Sequence, residues 1–157
     1  MLTLVVARYN EDVSWVNLIP GANVVIVNKS AIGNTGREAS SYLWFIAKHY
    51  AVLEGEYLFC QGDPFPHCPD FVGRVNGWMG RAGSPEPAVG AHGVTRPTFG
   101  TRLQCDWGGN PHHPGLPLRE TIHGLGLTVP DEIAFTAGAQ LLRSAQEIRD
   151  SHIQSSF

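Results

Sequence analysis

The chain has 157 residues, of which 43 % are hydrophobic and 16 % are charged, and its formal net charge is −3. This composition is typical of a globular domain that can bury a core, and it excludes an intrinsically disordered protein. The small negative charge argues against a large footprint on nucleic acid, and it favours a small-molecule ligand.

The cysteines and the amino terminus give an expectation of location. Cys60, Cys68 and Cys105 are an odd number without C-x-x-C spacing, which argues against a disulfide framework or a structural zinc site. The opening residues, MLTLVVARYNED, are apolar for too short a run to form a signal sequence or a membrane span. We therefore expect a cytoplasmic protein that begins with a strand.

The first 60 residues alternate between strand and helix patterns. Leu2–Ala7, Asn23–Asn28 and Glu56–Cys60 are apolar runs of the kind that a parallel sheet buries on both faces. A short polar helix is expected between the first two strands. Before the third, helical spacing of apolar residues predicts a long helix, opened by the capping box Thr35-x-x-Glu38. This alternation predicts an α/β fold with a βαβ sheet.

The rest of the chain is less regular. Residues 73–126 hold most of the glycine and proline, and we expect there either a lid or a set of short elements. Ile133–Leu142 is predicted to be a strand with a break at Gly138, and Ser144-x-x-Glu147 is a second capping box that opens a final helix.

Polar residues follow each predicted strand, and in a parallel sheet they meet at one edge. Asp63 follows the third strand, where an acid held by two prolines can bind a divalent cation, and His67 is a second candidate ligand or a base. The alternative is that Asp63 caps a turn and that His67 is an ordinary surface residue. After the first strand, Arg8 and Glu11 are candidates to contact the base and ribose of a nucleotide, or they belong to a solvated strand end.

The segment Asn34-Thr35-Gly36-Arg37-Glu38 is the second candidate site. A glycine-containing loop at a helix start offers free backbone N–H groups, and Arg37 adds donors that suit phosphate. A surface ion pair is the competing role for Arg37, and capping is the competing role for Glu38. The later histidines, His92, His112, His113 and His123, lack the spacing of a zinc motif.

Five segments in order resemble an uncharacterised family, a domain of unknown function. They are VVARYNEDVSWV, VNK, NTGREASSYLWFIAKHY, FCQGDPFPHCPD and FTAGAQLLRSAQEI, and they cover the first 70 residues and roughly residues 133–150. That family is in turn similar to nucleotide-sugar glycosyltransferases of the GT-A fold, notably rhamnan-synthesis-type enzymes. The resemblance implies a GT-A or Rossmann-like βαβ sheet, which we expect to form a single domain over residues 1–157 with a long Gly/Pro-rich insertion.

The resemblance also implies a site. Arg8, Tyr9, Asn10 and Glu11 would lie by the nucleotide base. Asn34, Gly36, Arg37 and Glu38 would lie near the nucleotide or the diphosphate, and Asp63 at the position of the family's metal-binding acid. Gly138, Ala139 and Gln140 would lie near the acceptor. The usual Asp-x-Asp pair is here Gln61-Gly62-Asp63, with one acid.

We therefore expect a glycosyltransferase-like protein that transfers a sugar from a nucleotide-sugar, with Mn²⁺ or Mg²⁺ on Asp63 and His67. Asp63, His67 and Glu38 are the candidate catalytic residues. The acceptor is a saccharide or, as a second choice, a modified nucleic-acid base, which would need a basic patch at Arg74, Arg81, Arg96 and Arg102. The alternatives are a non-catalytic nucleotide- or carbohydrate-binding module, and a metal-dependent hydrolase built on Asp63 and His67.

Overall fold

A computed structural model describes residues 1–33, 37–81, 102–105, 120, 123, 124, 126, 133–136 and 139–153. Its contacts divide the chain into two compact units, Met1–Gly100 with Gly138–Phe157, and Thr101–Ala137. The described strands are β1 (Leu2–Arg8), β2 (Asn23–Asn28), β3 (Glu56–Gln61), β4 (Arg102–Cys105), β5 (Ile133–Thr136) and β6 (Leu141–Ser144). The α-helices are α1 (Lys29–Ile32), α2 (Arg37–His49), α3 (Phe71–Arg81) and α4 (Ala145–Ile153), and short 3₁₀ helices cover Ser14–Leu18 and Tyr50–Val52.

The first unit is built on a four-stranded sheet in the order β2-β1-β3-β6. β1 is parallel to both β2 and β3, with Arg8 beside Asn28 and Ala7 beside Gln61, whereas β6 is antiparallel to β3. The carboxyl ends of β1, β2 and β3 therefore meet at one edge, and the predicted convergence of the loops after these strands is confirmed. The second unit contains the antiparallel pair β4 and β5.

The central strands β1 and β3 are buried on both faces, as their continuous apolar runs predict, because successive side chains of a strand point to opposite sides. The same prediction is wrong for β2, which lies at the edge of the sheet and is only partly covered, with Ile26 45 % exposed. On one face, alternate residues of β1 and β3 pack against the 3₁₀ helix Ser14–Leu18 and against α3. On the other face, the intervening residues pack against α2 and α4. The mixed α/β class that the sequence predicts is confirmed, with helices in layers on either side of the sheet.

The start of the Gly/Pro-rich segment is regular helix. α3 places Phe71 and Val75 in the core, with Trp78 and Met79 packed against it, which is the i, i+4, i+7, i+8 spacing of an amphipathic helix. The helix begins after Asp70, whose carbonyl accepts the first backbone hydrogen bond, from Arg74 N–H, at 3.0 Å. Residues 73–81 therefore belong to a regular helix, which agrees with the second alternative, a set of short elements; most of residues 82–126 lie outside the described part of the chain.

Of the two expectations for the last part of the chain, the strand differs from the structure and the capping box agrees with it. The strand predicted over Ile133–Leu142 is two strands in different units, β5 and β6, and its expected break at Gly138 lies outside the described residues. The second capping box is confirmed: Ser144 N–H donates to Glu147 Oε2 at 2.7 Å, and Glu147 N–H donates back to Ser144 Oγ at 3.1 Å. Within the described ranges, no helix is long and apolar enough to cross a membrane.

Candidate functional site at the carboxyl edge of the sheet

The loop after β1 is closed by its own hydrogen bonds. Arg8 Nε donates to the Glu11 carbonyl at 3.0 Å, and Tyr9 N–H donates to Glu11 Oε2 at 2.5 Å. Asp12 then accepts from both the N–H and the hydroxyl of Ser14 at 2.9 Å, which starts the 3₁₀ helix. Arg8 and Glu11 are thus part of an ordered turn at the end of β1. The sequence allowed either a contact with a nucleotide or a solvated strand end at these residues.

The carboxylate of Glu11 lies directly on Gly62, at the end of β3. A Cβ placed on Gly62 would be 2.6 Å from Glu11 Oε2 and 2.9 Å from its carboxyl carbon, distances that real Cβ atoms do not adopt. Any larger residue at this position would require the Glu11 side chain to shift. The contact joins the two candidate segments, because it places Glu11 beside the residue that precedes Asp63.

Trp15, which lies in the core, also holds the end of β3 in place at Gly62. Its Nε1–H donates to the Gly62 carbonyl at 2.9 Å, and only 7 % of the residue is exposed. The indole meets Phe65 and Phe71 edge to face, at centroid distances of 5.9 and 5.4 Å. The end of β3 is therefore held by a buried aromatic cluster as well as by the strand pairing.

The turn after β3 is compact. Asp63 Oδ1 accepts from Phe65 N–H at 3.2 Å, and the Pro64 carbonyl accepts from His67 N–H at 3.2 Å and from Cys68 N–H at 2.9 Å. Asp63 is exposed and His67 is half-buried. Asp63 therefore caps the turn, which was the alternative to binding a cation, while its carboxylate stays open to solvent.

The donor set at this turn is small. Within the part of the chain that the structure describes, no group of three or more His, Cys, Asp or Glu side chains could hold a metal ion. Asp63 and His67 do not form a closed protein cage for a cation. Mg²⁺, however, is commonly held by one or two carboxylates together with substrate phosphates, and this set fits a cation that binds with a diphosphate.

Lys29, directly after β2, lies at the edge where the sequence predicts the segment Asn28-Lys29-Ser30, but sequence reasoning assigns it no role in the site. It is 4 % exposed, and its Nζ lies 2.8 Å from Glu38 Oε1 in the first turn of α2. Asn28 caps the short helix α1 by accepting from Ser30 N–H at 3.2 Å, which fixes the backbone at Lys29. The available signal was the polar run directly after an apolar strand, but a lysine in that place is usually solvated.

Electrostatics ties Lys29 to Glu11 as well. Burial raises the pKa of Glu11, but the backbone N–H groups of Tyr9, Glu11 and Asn10 and the charge of Lys29 outweigh it, and the pKa lies below its usual value. Burial likewise raises the pKa of Glu38, and the hydrogen bond and charge of Lys29 bring it below its usual value. Both carboxyl groups are therefore held ionised around one buried cation.

A pH dependence of stability is expected from these two pKa shifts. Because the folded-state pKa values are depressed, the contribution of Glu11 and Glu38 to stability is complete above the unfolded-state pKa and is lost as the pH falls through the folded-state pKa. We expect the free energy of unfolding, measured by urea titration, to decrease from about pH 5 downward, with a shallower acid slope in Glu38→Gln. Equal acid slopes in the two proteins would contradict this assignment.

The phosphate-binding candidates fall partly within the described residues. Arg37 is exposed at the start of α2, and its φ of 50° lies in the left-handed region that residues other than glycine rarely adopt. Such backbone strain is concentrated at functional sites. The predictions for Asn34 and Gly36, and the Thr35 capping box, lie outside the described residues.

The structure brings some of the predicted residues together and leaves others apart. Arg8, Tyr9, Asn10 and Glu11 share one loop, Glu11 touches the β3 end, and Glu38 joins through Lys29. Among the described residues, no hydrogen bond or ion pair links Asp63 or His67 to Glu38 or Arg37. His92, His112 and His113, and the side chains of Arg81, Arg96 and Arg102, lie outside the described residues, while Arg74 and His123 are exposed.

Comparison with known proteins leaves this geometry as the main guide to function. No protein-family model matches the chain, and no curated protein or solved structure matches it either. The site stands on its own contacts: Glu11 on Gly62, which precedes the Asp63 turn, and Lys29 with Glu38.

Proposed function

We propose that the protein binds a nucleotide-sugar at the carboxyl edge of its sheet and transfers the sugar to an acceptor. The packing of the Glu11 carboxylate on Gly62 carries the proposal, because it lies between β1 and β3, where the strand order reverses. In open α/β sheets, ligands bind in the crevice outside the carboxyl ends of the strands at that point. A GT-A or Rossmann-like topology, as the motifs imply, is part of this proposal.

The charged residues at the start of α2 support placing the diphosphate of the ligand there. The buried Lys29 offsets the charge of Glu38 in the first turn of α2, where the exposed Arg37 offers its guanidinium N–H donors. These donors suit the diphosphate. Glu11 and Arg8, in the loop after β1, are then assigned to the ribose and base.

The reaction proposed is a substitution at the anomeric carbon of the donor sugar. The bond from that carbon to the diphosphate oxygen breaks, the acceptor oxygen bonds to the carbon, and the acceptor proton passes to a base. We assign the base to His67, because Glu11 and Glu38 are held ionised by their partners and are correspondingly weak bases. A divalent cation on Asp63, with His67 as an alternative ligand, would neutralise charge on the diphosphate.

The test exploits the cap that Asp63 provides. Asp63→Asn keeps an oxygen to accept the Phe65 N–H but removes the charge, so the turn is retained. With a panel of nucleotide-sugars, Mn²⁺ and mixed saccharide acceptors, we expect release of nucleoside diphosphate to fall about 100-fold or more in this variant. Asp150→Asn is the matched control, since Asp150 is exposed on α4, and α4 begins beside the amino end of β3. Full activity in Asp63→Asn would overturn the assignment.

Binding without catalysis is the second candidate, and one observation favours it. Both glutamates of the site are engaged by neighbouring groups, and the third strand ends in one acid. A non-catalytic module would be stabilised against heat by nucleoside diphosphates, by about 2.7 kcal/mol at a ligand concentration of 100 Kd, without releasing product. The absence of any such stabilisation would exclude both candidates.

A further inference from the structure

The outer edge of β2, on the side away from β1, is open. β2 is the first strand in the sheet order, and its partner in the sheet is β1. Because successive residues of a strand direct their backbone N–H and C=O groups to opposite sides, about half of these groups in Asn23–Asn28 point away from β1. Within the part of the chain that the structure describes, none of them has a backbone partner. Asn23, Ile26 and Asn28 are also exposed, so another strand can reach this edge.

β2 lacks the features that protect the edge of a sheet from pairing with another chain. Natural edge strands are kept single by charged side chains, by proline, by bulges or by being very short. β2 has six residues, none of them charged or proline, and its register with β1 runs without a bulge from Asn23 to Asn28. The opposite edge of the sheet differs, because β6 has four residues and carries the exposed Arg143. The two edges are therefore protected unequally, and β2 is the one suited to pairing.

A second copy of the same strand is complementary to β2. A two-fold axis perpendicular to the sheet makes the two strands antiparallel and places residues of the same face opposite each other. The registers with the longest overlap have this axis at Val25 or at Ile26. In the first, Val24 lies opposite Ile26 of the second copy, and in the second, Val25 lies opposite Val27 of the second copy. In both registers the central pairs are apolar, and no like charges meet, because β2 carries no charge.

We propose that β2 is a dimerisation surface, on which β2 of a second copy of this chain pairs antiparallel and joins the two four-stranded sheets into one. The pairing adds about four to six backbone hydrogen bonds and covers the exposed Ile26 side chain. Because the two strands run in opposite directions, the carboxyl edges of the two sheets lie at opposite ends of the joined sheet. Each copy keeps its own candidate site, and this inference does not depend on the proposed function.

Sedimentation velocity of the full chain over a range of concentrations measures the association. We expect wild type to dimerise with a dissociation constant of about 10 μM or lower. Ile26→Lys should raise this constant at least about tenfold, because a lysine on an edge strand opposes pairing. Leu141→Lys is the matched control, since Leu141 is 45 % exposed, as Ile26 is, but lies on β6 at the opposite edge. The control should dimerise as wild type does.

Cysteine substitutions give a second measurement that does not depend on the lysine variant. The residue on the two-fold axis faces its own copy, with Cβ atoms about 4.5 to 5.5 Å apart, so a small shift brings two cysteines into disulfide geometry. Under mild oxidation we expect a covalent dimer in either Val25→Cys or Ile26→Cys, and not in both. Wild type controls for the native thiols, of which Cys60 and Cys68 are buried.

Several results would overturn the assignment of this surface. A wild-type chain that stays monomeric throughout the concentration range would do so, and so would a dimer that Ile26→Lys leaves intact. If circular dichroism shows that Ile26→Lys is unfolded, the cysteine variants decide: cross-linking in neither, or equal cross-linking in both, refutes the proposed pairing.

Discussion

Replacing Trp15 with alanine is expected to lower the free energy of unfolding by about 3 to 5 kcal/mol, as large aromatic truncations in cores do. Trp15 is 7 % exposed, contacts Phe65 and Phe71 edge to face, and donates the hydrogen bond to Gly62. The substitution therefore removes packing, two ring contacts and the partner of a buried carbonyl together. Urea unfolding followed by circular dichroism measures the change.

Trp15→Phe separates the hydrogen bond from the packing, and it remains informative if the alanine variant does not fold. The phenyl ring retains most of the contacts, while the Gly62 carbonyl loses its donor, so we expect a loss of about 1 to 3 kcal/mol. We also expect weaker nucleotide binding, because Gly62 supports Glu11. A phenylalanine variant as stable as wild type would show that the indole N–H does not hold the end of β3.

The ion pair of Lys29 and Glu38 should give the second-largest effect. Glu38→Gln leaves the ammonium of Lys29 buried without its charged partner, and we expect a loss of about 3 kcal/mol in the free energy of unfolding. Lys29→Met should cost less, because the Glu38 side chain is 23 % exposed and can be solvated in part. Urea unfolding at neutral pH is the measurement.

The double variant tests whether the two side chains act as a pair. Lys29→Met with Glu38→Gln should be more stable than the sum of the single changes implies, by a coupling energy of about 1 to 3 kcal/mol. Lys48→Met, on the exposed side of α2 where Lys48 lies 4.7 Å from the centre of the Trp44 ring, should change stability by about 1 kcal/mol at most. Strictly additive losses would mean that the pair contributes nothing as a pair.

The sheet was predictable because its strands are apolar on both faces. The continuous apolar run LTLVVA is typical of a parallel strand covered on both sides, and the polar residues after it mark the carboxyl edge. The run NVVIVN is also a parallel strand, but it lies at the edge of the sheet and is only partly covered. Helix α3 was not predictable in the same way. Gly73, Gly77 and Gly80 lower its helix propensity, and the tertiary packing of Phe71 and Val75 overrides that weakness.

The candidate site also contains residues that a local sequence pattern predicts and residues whose contacts depend on distant parts of the chain. The loop Arg8–Glu11 and the Asp63 turn could be placed from their positions after strands. The burial of Lys29 depends on Glu38 in another helix. This contact leaves no periodic signal in the residues themselves, so no local pattern distinguishes this lysine from a solvated one.

The contact between Trp15 and Gly62 also bears on the folding rate, because it joins residues far apart in sequence. The two residues are 47 positions apart in sequence, and Tyr42 and Ala139 are 97 positions apart. Such pairs form only after long loops have closed, which costs entropy before the contacts return any stability and makes folding slow. We therefore expect a chain cut before Ala139 to lose the anchor of Tyr42, and to keep the edge that the carboxyl ends of β1, β2 and β3 form.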